Sequence, residues 1–155
     1  MKKLFFTLLP AVTFCATIFA QKITTDKIPS LISTAFKTKF PDASVEIWEV
    51  EKKGIYEVEF FNEEKRMAAE FDKSGKWLKT QYGIKLTQLP NAVTEALSKH
   101  FQAYKLIGAI QLITPAKGTT YELVTMKGKK RYQLQFTISG KLLEKEMEKE
   151  KDGDD

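Results

Sequence analysis

Residues 56–77 read YEVEFFNEEKRMAAEFDKSGKW, and residues 121–142 read YELVTMKGKKRYQLQFTISGKL. Apolar and polar residues alternate in both stretches, which is typical of antiparallel strands with one covered face. Tyr56 and Phe71 recur as Tyr121 and Phe136, at the same offset of 65 residues. Short polar links interrupt each stretch, and such links predict hairpin turns. The chain therefore contains the same predicted hairpin unit twice.

A helical pattern precedes each of these stretches. Pro29 and Pro90 suit the first turn of a helix, where a backbone N–H is not needed. Apolar residues then recur at the three- and four-residue spacing of a helix face. They are Leu31, Ile32, Ala35, Phe36 and Phe40 in the first pattern, and Ala92, Val93, Ala96, Leu97 and Phe101 in the second.

The complete pattern predicts an α+β fold. It is a tandem repeat of a helix plus a four-stranded antiparallel sheet, α-β-β-β-β twice, with the helix packed on one sheet face. The repeats span residues 24–84 and 85–145, and residues 146–155 form a charged tail expected to be flexible. The second repeat is four residues longer between its first two strands, which predicts a longer loop at 114–120. The predicted core phenylalanines are Phe36, Phe40, Phe71, Phe101 and Phe136.

Residues 1–20 have the three parts of a secretory signal peptide. Lys2 and Lys3 precede an apolar run, and Ala20 offers a small residue at the junction. The run is shorter than the roughly 20 apolar residues of a spanning helix. We therefore expect cleavage after Ala20, a periplasmic or secreted product, and no transmembrane segment after cleavage. Cys15 follows the bulky Phe14, which argues against lipidation, and its removal leaves a mature chain without cysteine.

Charge argues against a nucleic-acid partner. The net charge of the whole chain is +5, and the predicted signal peptide contributes two of the positive charges. Lysine and glutamate are interspersed, which favours a mixed soluble surface. The basic run from Lys127 to Arg131 falls in a predicted turn, and we interpret it as a charged hairpin.

The sequence motifs resemble those of a known family. The pattern IP…F…FPDA, the strand YEVEF and the segment EFDKSGKWL are similar to the secreted PepSY-like family, also described as β-lactamase-inhibitor-like. The second repeat gives a weaker match with LPNAV…F, YELVT and QFTISGKLL. The resemblance implies an extracytoplasmic domain of tandem helix-plus-sheet units, and it supplies no catalytic residues.

Residues suited to catalysis are scarce. His100 is the only histidine, and it falls at the end of the second predicted helix. The sequence has no zinc spacing, P-loop or dinucleotide-binding glycine pattern. Glu57 and Glu59 share a strand face at about 7 Å, with Glu70 expected opposite them. A hydrolase could use such a pair, but a solvated sheet face is the favoured interpretation, so no catalytic, cofactor or metal residue is predicted.

The sheet face opposite the predicted core is the remaining candidate site. Phe61 and Met126 occupy equivalent positions there. The candidate protein-binding residues are Trp48, Phe61, Tyr82, Val124 and Met126. Two interpretations stay open: a binding or inhibitory module that contacts another extracytoplasmic protein, or a structural or envelope-stress protein that buries these side chains between its repeats. Hydrolase activity is a distant third. The binding module predicts a continuous exposed apolar patch.

Overall fold

The computed structural model describes residues 21–51 and 54–148. Two α-helices and nine strands make up most of this part of the chain. In order they are β1 Gln21–Ile23, α1 Ser30–Lys39, β2 Ser44–Glu51, β3 Ile55–Asn62, β4 Lys65–Asp72, β5 Trp77–Gly83, α2 Asn91–His100, β6 Lys105–Thr114, β7 Gly118–Lys127, β8 Lys130–Thr137 and β9 Leu142–Met147. The predicted signal peptide lies outside the described residues. None of the described helices is long and apolar enough to span a membrane.

All nine strands form one antiparallel sheet, in the order β1 to β9. The prediction of two four-stranded sheets is therefore wrong. The two predicted sheets merge because β5 pairs with β6, from Thr80 opposite Ile113 to Gly83 opposite Ile110. The short strand β1, which the sequence pattern did not predict, pairs with β2 at the other end.

Both helices pack on the same face of this sheet, which we call the covered face. Below α1, the buried core includes Phe36, Val58 and Phe71. Below α2, it includes Leu123 and Phe136. Phe40 and Phe101 pack against these cores and are partly buried. The alternation of the strands thus gives each helix an apolar platform, and the predicted core phenylalanines all lie in or against the two cores.

The two Ser-Gly-Lys turns hold the helices close to the sheet. Gly75 and Gly140 both have φ of +79°, a conformation that favours glycine. A Cβ at Gly75 would lie 2.9 Å from the carbonyl oxygen of Leu31 in α1. A Cβ at Gly140 would lie 2.3 Å from the carbonyl oxygen of Ala92 in α2. Each glycine therefore allows a turn to approach a helix backbone.

Two further predictions need correction. The extra residues of the second repeat do not lengthen the loop, because β6 and β7 have 10 residues each where β2 and β3 have 8. The charged tail was predicted to begin at Glu146, but β9 extends to Met147 and Glu146 pairs with Gln133. Backbone pairing to β8 orders this segment even though its side chains are charged. Residues 149–155 lie outside the described part.

Candidate protein-binding face

The sheet has a second face, which we call the open face. No helix of the described chain packs on it, because both cores lie on the covered face. Strand register assigns each residue to one face or the other. Glu57 opposite Glu70, and Glu122 opposite Gln135, lie on the open face, because their strand neighbours point into the cores.

Trp48 and Tyr82 do not lie on the open face, so their predicted placement is wrong. Trp48 pairs with Val58 and is only 2% exposed, with its ring 5.5 Å from that of Phe36. Tyr82 pairs with Met67, which packs against the first core. Bulges interrupt the pairing of β2 with β3 and of β4 with β5, so simple alternation does not assign a face to every residue of β2 and β5.

Phe61, Val124 and Met126 do lie on the open face. Phe61 is 38% exposed and pairs with Arg66, which forms ion pairs with Glu46 and Glu59. Val124 is only 1% exposed despite its position on this face, so it offers little contact area.

The three open-face candidates do not form one apolar patch. Phe61 belongs to β3, whereas Val124 and Met126 belong to β7, and three strands separate them. Phe61 is the only aromatic residue on the open face of the described strands. The predicted continuous apolar surface is therefore absent from the described sheet.

Half-buried charges occupy the centre of the open face instead. Glu57, Glu70 and Lys79 stand opposite one another on β3, β4 and β5. The Lys79 Nζ lies 2.6 Å from a carboxylate oxygen of Glu70. Burial, and then the charge of Glu70, raise the pKa of Glu57 to about 7, while Lys79 opposes that rise. Glu57 and Glu70 are thus half-buried rather than fully solvated.

Glu51 extends this acidic group at the end of β2. Burial, followed by the charge of Glu70, raises the pKa of Glu51. Glu51, Glu57 and Glu70 each offer a carboxylate oxygen within 4.8 Å of the others. Carboxylates at that spacing suit a hard cation, but here the ammonium of Lys79 supplies a positive charge to the group.

The open face contains a cavity of about 240 Å³ that extends from β5 across the second half of the sheet. Its lining is mixed, with glutamine, lysine and glutamate side chains around Leu112. Glu122 lines this cavity, and burial raises its pKa, while Lys79 acts in the opposite direction. Lys79 therefore lies between two groups of acids, one in each half of the sheet. The sequence alone did not identify Lys79 as a site residue, because it is one lysine among many.

The other chemical candidates are dispersed. Glu57, whose raised pKa would suit a general acid, does not line the cavity. His100 is exposed at the end of α2. In the basic run, Lys127 lies over the ring of Tyr104 and Arg131 lies 3.2 Å from Glu148. The geometry thus brings charged side chains together on the open face but does not join an acid, a nucleophile and a cavity at one place.

Comparison with known proteins identifies a family and a fold. The model of the beta-lactamase-inhibitor-like, PepSY-like family matches residues 18–65 and 54–144. Among curated proteins, no sequence matches the chain.

Several solved structures share the fold. A BLIP-like protein from Bacteroides fragilis is 24% identical, with a TM-score of 0.69, over 82% of this chain and 89% of that chain. A DUF2874 family protein from Bacteroides uniformis is 18% identical, with a TM-score of 0.70, over 77% and 89%. A protein from Bacteroides eggerthii described as periplasmic is 21% identical, with a TM-score of 0.68, over 77% and 88%.

Proposed function

Because the chain belongs to the PepSY-like, beta-lactamase-inhibitor-like family, we propose that it is a non-catalytic extracytoplasmic module that binds another protein through its open sheet face. The observation that carries the proposal is the asymmetry of the sheet: both helices cover one face, and the other is left without a helix in the described chain. A periplasmic location is supported by the description of the Bacteroides eggerthii protein as periplasmic.

The open face is large enough for a specific interface. Nine strands at about 4.8 Å spacing span roughly 38 Å, and eight residues along a strand span about 26 Å. The resulting area is on the order of 1,000 Å², compared with about 800 Å² that each partner buries in a standard interface. Half-buried charges such as Glu57 and Glu122 would give such an interface specificity rather than affinity. Phe61, near the end of β3, is the exposed aromatic residue of the open face and would supply an apolar contact beside the central charges.

The test compares two substitutions of equal exposure on opposite faces. Phe61 is 38% exposed on the open face, and Val45 is 37% exposed on the covered side, opposite Phe60. We expect Phe61→Asp to abolish capture of extracytoplasmic proteins on the immobilised domain, whereas Val45→Asp leaves capture intact. Both variants should stay within about 0.5 kcal/mol of wild-type stability.

Two results would contradict the proposal. If Phe61→Asp unfolds the protein, Phe61 is a core residue and not a contact. If both variants capture partners as well as wild type does, the open face around Phe61 is not the interface. Met126→Asp then tests the equivalent position in the second half of the sheet.

A further inference from the structure

The last strand of the described sheet, β9, has one edge that faces away from β8. Within residues 21–51 and 54–148, no strand pairs with the outer side of β9. All six of its residues are exposed. An exposed edge strand presents free N–H and C=O groups, which can template the addition of another strand.

The direction of these groups follows from one hydrogen bond. The backbone N–H of Glu148 donates to the carbonyl oxygen of Arg131 in β8, at 3.0 Å. Backbone groups along an antiparallel strand alternate between its two sides. The N–H and C=O groups of Met147 and Lys145 therefore point outward, away from β8.

The side chains of β9 define what could pair there. Glu144, Glu146 and Glu148 follow one another on the open face, because they stand opposite Gln135, Gln133 and Arg131. Glu148 is held by Arg131 at 3.2 Å, whereas Glu144 and Glu146 are exposed on β9 and also line the open-face cavity.

The other face of β9 is partly apolar. Leu142 and Met147, which stand opposite Phe136 and Tyr132, are 38% and 49% exposed. Lys145 lies between them on this face, opposite Leu134, and its ammonium contacts Tyr104 and Tyr132. An added strand would thus meet acidic side chains on one face, and on the other two apolar side chains with the stem of Lys145 between them.

A second copy of the chain does not suit the same edge. Antiparallel pairing of β9 with β9 of another copy, with the open faces aligned, sets glutamate opposite glutamate at the open-face positions of the two strands. Like charges directly opposite each other on neighbouring strands are destabilising. The acidic row therefore opposes self-association through this edge.

We propose that β9 is a docking edge for an extended segment of another protein in which basic and apolar residues alternate. The basic side chains of that segment lie beside Glu144 and Glu146, and its apolar side chains continue the surface of Leu142 and Met147. The main-chain groups of Lys145 and Met147 supply the hydrogen bonds. This inference rests on the general proposal of protein binding, but it uses the sheet edge and not the surface around Phe61.

The test uses a synthetic six-residue peptide of alternating lysine and valine as the probe. A peptide with three lysines followed by three valines has the same composition and charge, and an alternating glutamate-valine peptide reverses the charge. We expect the alternating lysine peptide to bind about tenfold more tightly than either control, measured by titration. Hydrogen exchange should slow at the amides of Lys145 and Met147 when it binds.

Variants separate backbone pairing from charge. Met147→Pro removes one outward N–H and leaves the pairing to β8 intact. It should therefore weaken binding of the alternating lysine-valine peptide about fivefold relative to Met147→Ala. The double variant Glu144→Lys, Glu146→Lys should reverse the preference, so that the glutamate-valine peptide binds more tightly than the lysine-valine peptide. Phe61→Asp should leave probe binding unchanged, which distinguishes failure of this inference from failure of the open-face proposal.

Several outcomes would overturn the proposal. Equal binding of the block peptide would show attraction by charge alone. Unchanged binding by Met147→Pro, or unchanged exchange at Lys145 and Met147, would exclude strand addition. Dimers of the unbound protein that Met147→Pro dissociates would show that the occupant is a second copy.

Discussion

The two halves of the molecule share one backbone plan but differ in how they use aromatic residues. In the first half, Phe36 lies at the centre of a buried cluster, with its ring 5.0 Å from Phe60 and 5.5 Å from Trp48. In the second half, smaller residues occupy the equivalent strand positions. Thr125 stands where Phe60 does, Ala109 stands where Trp48 does, and both are buried. The same helix-on-sheet arrangement is thus compatible with cores of different size.

Phe136 and Tyr121 are buried in the second core, but a further aromatic group of the second half lies at its margin. The ring of Tyr104 lies 5.3 Å from Phe101 and 5.2 Å from Tyr132. Lys145 of β9 reaches into this group and donates a hydrogen bond to the hydroxyl of Tyr104 at 2.7 Å. Both halves therefore pack aromatic rings in their cores, but only the second half also contacts the edge strand β9 through cation–π contacts of Lys145 with Tyr104 and Tyr132.

The largest expected effect tests whether the two halves unfold together. Phe71 and Phe136 are 0% and 1% exposed, one in each core. We expect Phe71→Ala and Phe136→Ala each to lower the free energy of unfolding by about 3–5 kcal/mol. Because β5 pairs with β6, both variants should unfold in one transition, measured by thermal and denaturant melts. Leu31→Ala, at a position 65% exposed, serves as the control. A melt in two steps, with only one step displaced, would show that the halves are independent.

A smaller effect compares the two glycine turns. Gly75→Ala and Gly140→Ala both place a side chain at φ of +79°, which costs about 1–2 kcal/mol. The added Cβ approaches a helix carbonyl more closely at Gly140 than at Gly75, 2.3 Å against 2.9 Å. Gly140→Ala should therefore be the more destabilising of the two in chemical denaturation.

Gly128 provides the matched control for these turns. Its φ is +60°, and an added Cβ would meet no described atom within 4 Å. Gly128→Ala should show the conformational cost alone. Equal losses for all three variants would mean that close approach to the helices contributes nothing.

The smallest expected effect is a pH-dependent change in stability caused by the half-buried acids of the open face. The pKa of Glu57 is about 7 in the folded protein, against an ordinary value of 4.5. Since the folded state holds the proton more tightly, ionisation of Glu57 destabilises the fold as pH rises from about 4.5 to about 7. Glu57→Gln should therefore raise the melting temperature at about pH 8, by the equivalent of about 1–2 kcal/mol after allowance for partial exposure, and not at about pH 4.5.

Glu122 provides a matched comparison for Glu57 in the same measurement. It stands in β7 where Glu57 stands in β3, but its strongest charge interaction is with Lys79, which lowers its pKa, rather than with another acid. Glu122→Gln should thus give a smaller gain at high pH than Glu57→Gln. An equal or larger gain would show that Glu70 is not what distinguishes the two halves.

Local patterns predicted the elements, whereas long-range pairing decided their arrangement. Helices and hairpins follow from periodicity within about ten residues, so both helices and the hairpins of 56–77 and 121–142 were predictable. The joining of the halves depends on the pairing of Thr80 with Ile113, and no local pattern specifies that contact. For this reason the single sheet was not predicted.

The candidate site was predictable only in part. Phe61 and Met126 were assigned to the correct face because β3 and β7 alternate without interruption in their pairing with β4 and β8. Trp48 and Tyr82 were misplaced, and simple alternation does not assign a face to every residue of β2 and β5, because bulges interrupt their pairings. The role of Lys79 between two groups of acids depends on three-dimensional proximity, which sequence spacing does not reveal.

The sequential order of the nine strands also affects how the protein folds. Every strand pairs with the strand that precedes it in the chain, and only the pairings of β1 with β2 and of β5 with β6 reach across a helix. Sheets built from such neighbouring contacts fold faster than sheets with long crossovers. We expect assembly to proceed from β2 onward, each hairpin adding to the edge that the previous one has just formed. A chain that emerges gradually, amino terminus first, could in this way begin to acquire its structure before its last strand is available.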